Sequence, residues 1–361
     1  MNSKKRKKVK IHYFRILMAL LLLVIIIAGI ILIIKSCSGN KNSATNSVIV
    51  QSQTSEVTDA SSDNPENDAV VPTTEPVSVY PEKTADSVTF PTDFDAKYGI
   101  LIDADTNEIV AYRNYNTIMS PASLTKIMTL IVAVENISDL SDTVEITEDM
   151  VEPMIELEAS RAGFAVGETP TLEQVLYGII LPSGADACLA AAQYVAGSEE
   201  AFVEMMNAKA KELGLKNTKF TNCVGLYDPQ HHSTAEDIAL ILKYALENET
   251  CKKVLSTYQY EIPPTEYNPE GLTLTSTVFS RMEGTEMPGV TILGGKTGYT
   301  DEAGQCLATF AEANGKTYIM VFSGGTSKWN VVYNTLSGYS MFCVGGEAYV
   351  PPTNTITDSS Y

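Results

Sequence analysis

Ser123 and Lys126 are the residues whose type and spacing point most directly to chemistry. They open a predominantly apolar stretch, Leu124 to Val134, which predicts a buried helix. Three residues apart on a helix, they share one face with Cβ atoms roughly 5–6 Å apart, close enough for a lysine amine to take a proton from a serine hydroxyl. A lysine whose stem lies among apolar groups loses solvation of its charged form, and its pKa falls toward the range of a working base. S-x-x-K alone is a common tetrapeptide, so the pair needs companions elsewhere in the chain.

Two further stretches supply them. Gly294-Gly295-Lys296-Thr297-Gly298-Tyr299 follows a strand-like run, and Lys296 with Thr297 offers a charge and a hydroxyl to a carboxylate. A phosphate loop would need glycine at position 290, which is Val290. Leu181-Pro182-Ser183-Gly184-Ala185-Asp186-Ala187 places a second hydroxyl, Ser183, at a break between helices. His231 and His232 adjoin a helix start and read as part of its entry; with His12 they are the only histidines, too few for a zinc peptidase. No G-x-S-x-G elbow for a Ser-His-Asp triad is present.

The elements around these stretches are legible. Tyr98 to Asp103 and Glu108 to Tyr112, joined by Ala104-Asp105-Thr106-Asn107, predict a β-hairpin. Thr171-Leu172-Glu173-Gln174 is a capping box opening a helix over Leu172 to Leu181. Ser198 caps Glu199 to Leu213, which Gly214 ends, and Ser233-Thr234-Ala235-Glu236 reads as a second box before Thr234 to Asn248. Val290 to Leu293, Gln305 to Ala311 and Lys316 to Phe322 are strand candidates, the last two turning at Asn314-Gly315. Strands at both ends with helices between predict an α+β fold: one antiparallel sheet made by the two ends of a domain over residues 89–346, flanked by helices, with a helical subdomain.

The chain has 361 residues. Residues 1–15 carry seven Lys and Arg and no acid, and Ile16 to Ile34 is an apolar run of 19 residues, about 28 Å as a helix. Residues 16–35 therefore predict a transmembrane anchor with a cytoplasmic N-terminus and the rest outside. A cleaved signal peptide or a lipid-modified Cys37 fits Lys35-Ser36-Cys37-Ser38 less well. Residues 36–88 read as a disordered spacer, spanning about 40 Å as a flexible coil, and residues 347–361 as a tail. Beyond Lys35 there are 17 Lys and Arg against 44 Asp and Glu, a net charge of about −27 that argues against nucleic acid or anionic lipid as partners. The cysteines after Cys37 read as buried small hydrophobes rather than a disulfide framework.

The three motifs in this order resemble the serine D-alanyl-D-alanine carboxypeptidases, the low-molecular-mass penicillin-binding proteins. The resemblance runs from about Tyr98 to Gly338 and is carried by PASLTKIMT at 121–129, GETPTLEQVLYGIILPSGADA at 167–187, MNAKAKELGLKNTKFTNCVGL at 206–226, HHSTAEDIA at 231–239 and GGKTGYTDEAGQCLA at 294–308. It implies a β-lactamase/transpeptidase-like fold and a penicillin-sensitive enzyme that trims the terminal D-alanine of peptidoglycan stem peptides, with no metal and no cofactor. By resemblance Ser123 is the acylated nucleophile, Lys126 its base, and Ser183 the hydroxyl that relays a proton to the leaving D-alanine. Lys296, Thr297, Gly298 and Tyr299 bind substrate, and the N–H groups of Ser123 and Tyr299 form the oxyanion hole.

The chain departs from that pattern in places. The second motif usually reads S-x-N, and its third position here is Ala185; Asp186 is the neighbour that would restore a polar contact. No arginine follows Gly324-Gly325, where some members hold the substrate carboxylate, and Lys328 is the candidate stand-in. Many members carry a sandwich domain and an amphipathic C-terminal helix after the catalytic domain; the chain ends soon after Gly346, and the N-terminal span is expected to serve as anchor instead. Two other functions compete: a wall-binding scaffold whose machinery is weakened at Ala185, and a β-lactamase, for which no E-x-x-x-N loop is identified.

Overall fold

A computed structural model describes residues 80–351. In chain order these form strands β1 (Glu82–Thr89), β2 (Tyr98–Asp103) and β3 (Glu108–Arg113), then a 3-10 turn over Ala122–Thr125. Seven helices follow: α1 (Lys126–Asn136), α2 (Glu148–Glu156), α3 (Leu172–Ile180), α4 (Ala185–Ala196), α5 (Glu199–Glu212), α6 (Ala235–Glu247) and α7 (Glu249–Leu255). The chain closes with β4 (Gln259–Ile262), β5 (Leu272–Thr275), α8 (Thr277–Met282), β6 (Val290–Thr300), β7 (Gly304–Ala313), β8 (Lys316–Gly325) and α9 (Lys328–Cys343).

The main sheet runs β1-β3-β2-β8-β7-β6, so the two ends of the domain meet where β2 pairs antiparallel with β8. Only the β1–β3 pair is parallel. Side chains alternate along the strands as the pleat requires. Ile100, Ile102, Ile109, Ala308, Phe310, Ile319 and Val321 face the large helical core around α1, while Leu101, Ala111, Leu307, Met320 and Phe322 face Val331, Val332, Leu336 and Tyr339 of α9. The expected α+β architecture is thus present, with helices on both faces. Among the described residues no helix is long and apolar enough to cross a membrane, and the predicted span over 16–35 lies outside them.

Four differences from the sequence reading have physical causes. β1 occupies the end of the stretch expected as spacer: its side chains are exposed along nearly the whole strand, so no apolar alternation betrays it, and backbone pairing with β3 makes it a strand. The helix expected to carry Ser123 and Lys126 on one face opens as the 3-10 turn over Ala122–Thr125, and α proper starts at Lys126. The second capping box does not form: Thr234 and not Ser233 caps the helix, accepting the Asp237 N–H, while Ser233 Oγ bonds Thr218. Finally, the strand expected over Val290 to Leu293 continues to Thr300, so the Lys296 motif, expected at a strand's end, forms the second half of β6. The Thr171–Gln174 box and the Ser198 cap form as expected, as does the Asn314-Gly315 turn, both residues having positive φ. The described cysteines are all free and buried.

Candidate active site

The 3-10 turn holds Ser123 in place through what surrounds it. Ala122, fully buried, has φ +47°, an unusual value for a residue with a Cβ and one that local packing must impose. Gly225 supplies part of that packing: a Cβ there would sit 2.1 Å from the Ala122 carbonyl oxygen. On the other side Gly298 of β6 approaches so closely that its Cβ would lie 3.1 Å from Ser123 N. The turn is braced from beneath by His231. Thr221 N–H donates to His231 Nδ1 (3.1 Å), which leaves the ring proton on Nε2, 2.8 Å from Thr125 Oγ1. Burial pulls the His231 pKa down to about 4, so the ring is neutral at pH 7. The histidine is a brace for the turn, in line with its reading as a structural residue.

Lys126, one step into α1, is 2 % exposed. Its Nζ donates to Ser123 Oγ at 3.1 Å and to the Val224 carbonyl at 2.5 Å. Burial lowers its pKa, offset in part by Cys188, Cys223 and Asp186 nearby. Lys296 is wholly buried in β6 and donates to the Thr297 carbonyl (2.8 Å). Its pKa lies well below the usual lysine range, first from burial and then from repulsion by Lys126 and Arg281. Thr297 Oγ1 is paired with Thr277 Oγ1 at 2.7 Å, at the start of α8.

Ser183 sits between α3 and α4 with φ +65°, a second strained residue, and its hydroxyl has no hydrogen-bond partner among the described residues. Ser123, Lys126, Ser183, Thr297, Gly298 and Tyr299 all line one cleft of about 430 Å³. A larger hollow of about 580 Å³, between α8 and the start of β6, holds none of these groups.

The structure revises two further expectations. Asp186 does not replace the missing asparagine: its carboxylate turns away from the cleft, accepting the Ala162 N–H (2.7 Å) and the Gly163 N–H (3.1 Å). Ala185 itself lines the cleft. Lys328 is not among the cleft-lining residues; besides Lys126, the cation found there is Arg281 of α8, half-buried, in a lining that also includes Thr277 and Thr297. No described residue hydrogen-bonds or ion-pairs the Arg281 side chain, and burial lowers its pKa. No motif points to it, since a single arginine in a short helix carries no spacing to read. Glu168, which is buried outside the cleft lining, spends its carboxylate on Ala165 N–H, Asn268 Nδ2 and Thr265 Oγ1.

A mixed sheet between helical layers, with a serine on the turn that abuts its edge strand and a lysine at the start of the helix that follows, defines a class of serine acyl-transfer fold. The D-alanyl-D-alanine carboxypeptidase family model matches residues 83–326, and the chain belongs to that family. D-alanyl-D-alanine carboxypeptidase DacF of Bacillus subtilis is 36% identical over 239 residues, 65% of this chain and 59% of that protein. DacC of Escherichia coli is 39% identical over 155 residues, which make up 39% of its length. The D-alanyl-D-alanine carboxypeptidase of Streptomyces sp. strain K15 is 32% identical over 250 residues, 67% of this chain and 85% of that one. The crystal structure of the Streptomyces K15 DD-transpeptidase superposes with a TM-score of 0.63 at 29% identity, covering 68% of this chain and 95% of the other. Penicillin-binding protein 5 of Haemophilus influenzae gives 0.61 at 26% identity, covering 70% and 72%.

Proposed function

We propose that this chain is a serine D-alanyl-D-alanine carboxypeptidase, anchored by residues 16–35 with its catalytic domain outside the cell, that removes the terminal D-alanine of peptidoglycan stem peptides. The observation that carries the reading is the 3.1 Å contact between Lys126 Nζ and Ser123 Oγ inside a cleft walled by the Lys296 strand. Lys126, its pKa lowered by burial, takes the Ser123 proton as Oγ attacks the carbonyl carbon of the penultimate D-alanine. The developing oxyanion is held by the N–H groups of Ser123 and Tyr299, each worth about 2.7–4 kcal/mol in acyl transfer. Ser183 relays that proton from Lys126 to the departing amine, D-alanine leaves, and water then cleaves the acyl-enzyme, one of its protons returning to Ser123 Oγ. The substrate's carboxylate lies between Thr297 and the unpaired Arg281, over the buried Lys296, and Arg281 takes the part of the arginine missing after Gly324-Gly325. Penicillins acylate the same serine.

The test is intact-mass analysis of the full-length protein after penicillin, with D-alanine release from a pentapeptide measured alongside. The wild type is expected to gain one penicilloyl group and to release D-alanine, and Ser123→Ala to do neither. Wild-type protein that takes no label and releases no D-alanine refutes the reading. A long-lived adduct is expected, and rapid penicillin turnover would instead favour the β-lactamase.

A further inference from the structure

Resting on that reading, we infer that Asn222, which is not among the cleft-lining residues, is a positioning residue: it aims the Val224 carbonyl at Lys126 and so holds the base against Ser123. Residues 221–226 belong to no helix or strand, so no ladder fixes their backbone, and their shape depends on side chains. The Val224 carbonyl and the Gly225 N–H belong to one planar peptide and point to opposite sides of it. On one side Gly225 N–H donates to Asn222 Oδ1 (2.7 Å); on the other the carbonyl accepts from Lys126 Nζ (2.5 Å). Turning that peptide disturbs both bonds together. Asn222 Oδ1 also accepts the Leu226 N–H (3.1 Å), and its Nδ2 donates to the Leu226 carbonyl (2.9 Å), which closes the segment on itself.

The peptide groups just before are held as well. Cys223 N–H donates to Glu199 Oε1 of α5 (2.9 Å), and Thr129, one turn along α1 from Lys126, donates its hydroxyl to the Cys223 carbonyl (2.6 Å). Two successive carbonyls therefore meet two side chains on one face of α1. Gly225 lies against the Ala122 carbonyl at the same time, so one loop seats both the nucleophile's turn and the base. A neutral lysine amine has two N–H donors and one lone pair. With one N–H engaged by Val224, rotation about the Cε–Nζ bond is restricted and the lone pair is kept toward the Ser123 hydroxyl. The carbonyl also favours the ammonium over the amine, opposing part of the effect of burial on Lys126.

The experiment follows the second-order rate of acylation by a fluorescent penicillin across pH, on full-length wild type, Asn222→Ala and Asn222→Asp, each below its melting temperature. Asn222→Ala is expected to be slower by at least about tenfold, because the amine is misplaced. Its acid limb, where Lys126 gains its proton, should move to lower pH by about half a unit or more, since a carbonyl bonded to the charged form is lost. The other groups whose charge acts on Lys126 are Asp186 and Cys188 of α4, Cys223, Lys296 of β6 and His231, and the substitution removes none of them. Asn222→Asp keeps the Oδ1 acceptor and should recover most of the rate, with its acid limb no lower than that of the wild type. Asn222→Ala at the wild-type rate, or slowed with its acid limb unmoved, overturns the inference, as does equal impairment of the two variants. If Asn222→Ala does not fold, Thr129→Val, which releases the neighbouring Cys223 carbonyl, is read in its stead: the same downward displacement is expected, and an unmoved limb overturns the inference. Wild-type protein that takes no penicillin at any pH strikes the carboxypeptidase reading itself.

Discussion

Ser123 owes its reactivity to groups that the reaction never touches. His231 is one: with its proton on Nε2 it holds Thr125, and its bare Nδ1 accepts the Thr221 N–H. Burial strips the charged ring of its hydration, which is why folding lowers the pKa from 6.5 to about 4; a proton on Nδ1 would also set a second N–H against the Thr221 donor. The unfolded chain therefore binds a proton here at a higher pH than the folded chain does. Stability from this group is complete above about pH 6.5 and falls as pH drops toward 4, by about 3 kcal/mol in all. In urea unfolding, the advantage of wild type over His231→Asn should shrink by about 2 kcal/mol between pH 7 and pH 5; a constant difference would exclude the mechanism. Ala185 is the opposite case, a cleft position lacking a polar group. Ala185→Asn adds an amide facing the substrate and should raise D-alanine release roughly tenfold, the value of one hydrogen bond of about 1.4 kcal/mol. A rate unchanged or lowered would mean that the cleft has repacked around alanine.

At the level of elements, a strained turn is clamped between a loop and a strand. Gly225 lies against the Ala122 carbonyl, and its own φ is +82°, so Gly225→Ala meets both a steric clash and an unfavourable backbone. Its second-order rate of acylation by a fluorescent penicillin should fall at least tenfold, roughly the effect of 1.4 kcal/mol on the barrier, with the melting temperature lowered as well. Acylation at the wild-type rate would show that the turn does not depend on this contact. Part of this arrangement was legible beforehand. Periodicity exposed the β2–β3 hairpin, cap chemistry exposed α3 and α5, and the three motifs singled out Ser123, Lys126, Ser183 and Thr297, which line one cleft. Positive φ at Ala122 and Ser183 was not legible, because strain in a residue with a Cβ is imposed by tertiary neighbours. Nor was β1, whose polar side chains follow neither the helical nor the strand period.

The molecule as a whole is closed by strands far apart in sequence. β2 and β8 pair over Tyr98–Asp103 and Tyr318–Ser323, so more than two hundred residues, including α1 through α7, form the loop between them. Until that pairing forms, the apolar face of β2 has no partner on one side, and the helical core has no sheet to cover Ile131, Ile238 and Ile241. Such non-local closure makes folding slow, because the loop entropy must be overcome before the contacts form. It also makes the site a property of the whole domain. Ser123 comes from the first half, Lys296 from the second, and Gly298 can press against Ser123 N only when β6 is held in register by β7 and β7 by β8. A chain terminated at Asn314 keeps every motif residue but loses β8 and α9. It should take no fluorescent penicillin and unfold without a cooperative transition, whereas a chain ending at Pro351 should label like the full-length protein. Labelling of the Asn314 chain would show that the cleft assembles without the closing strand, and that the sheet's two ends are independent.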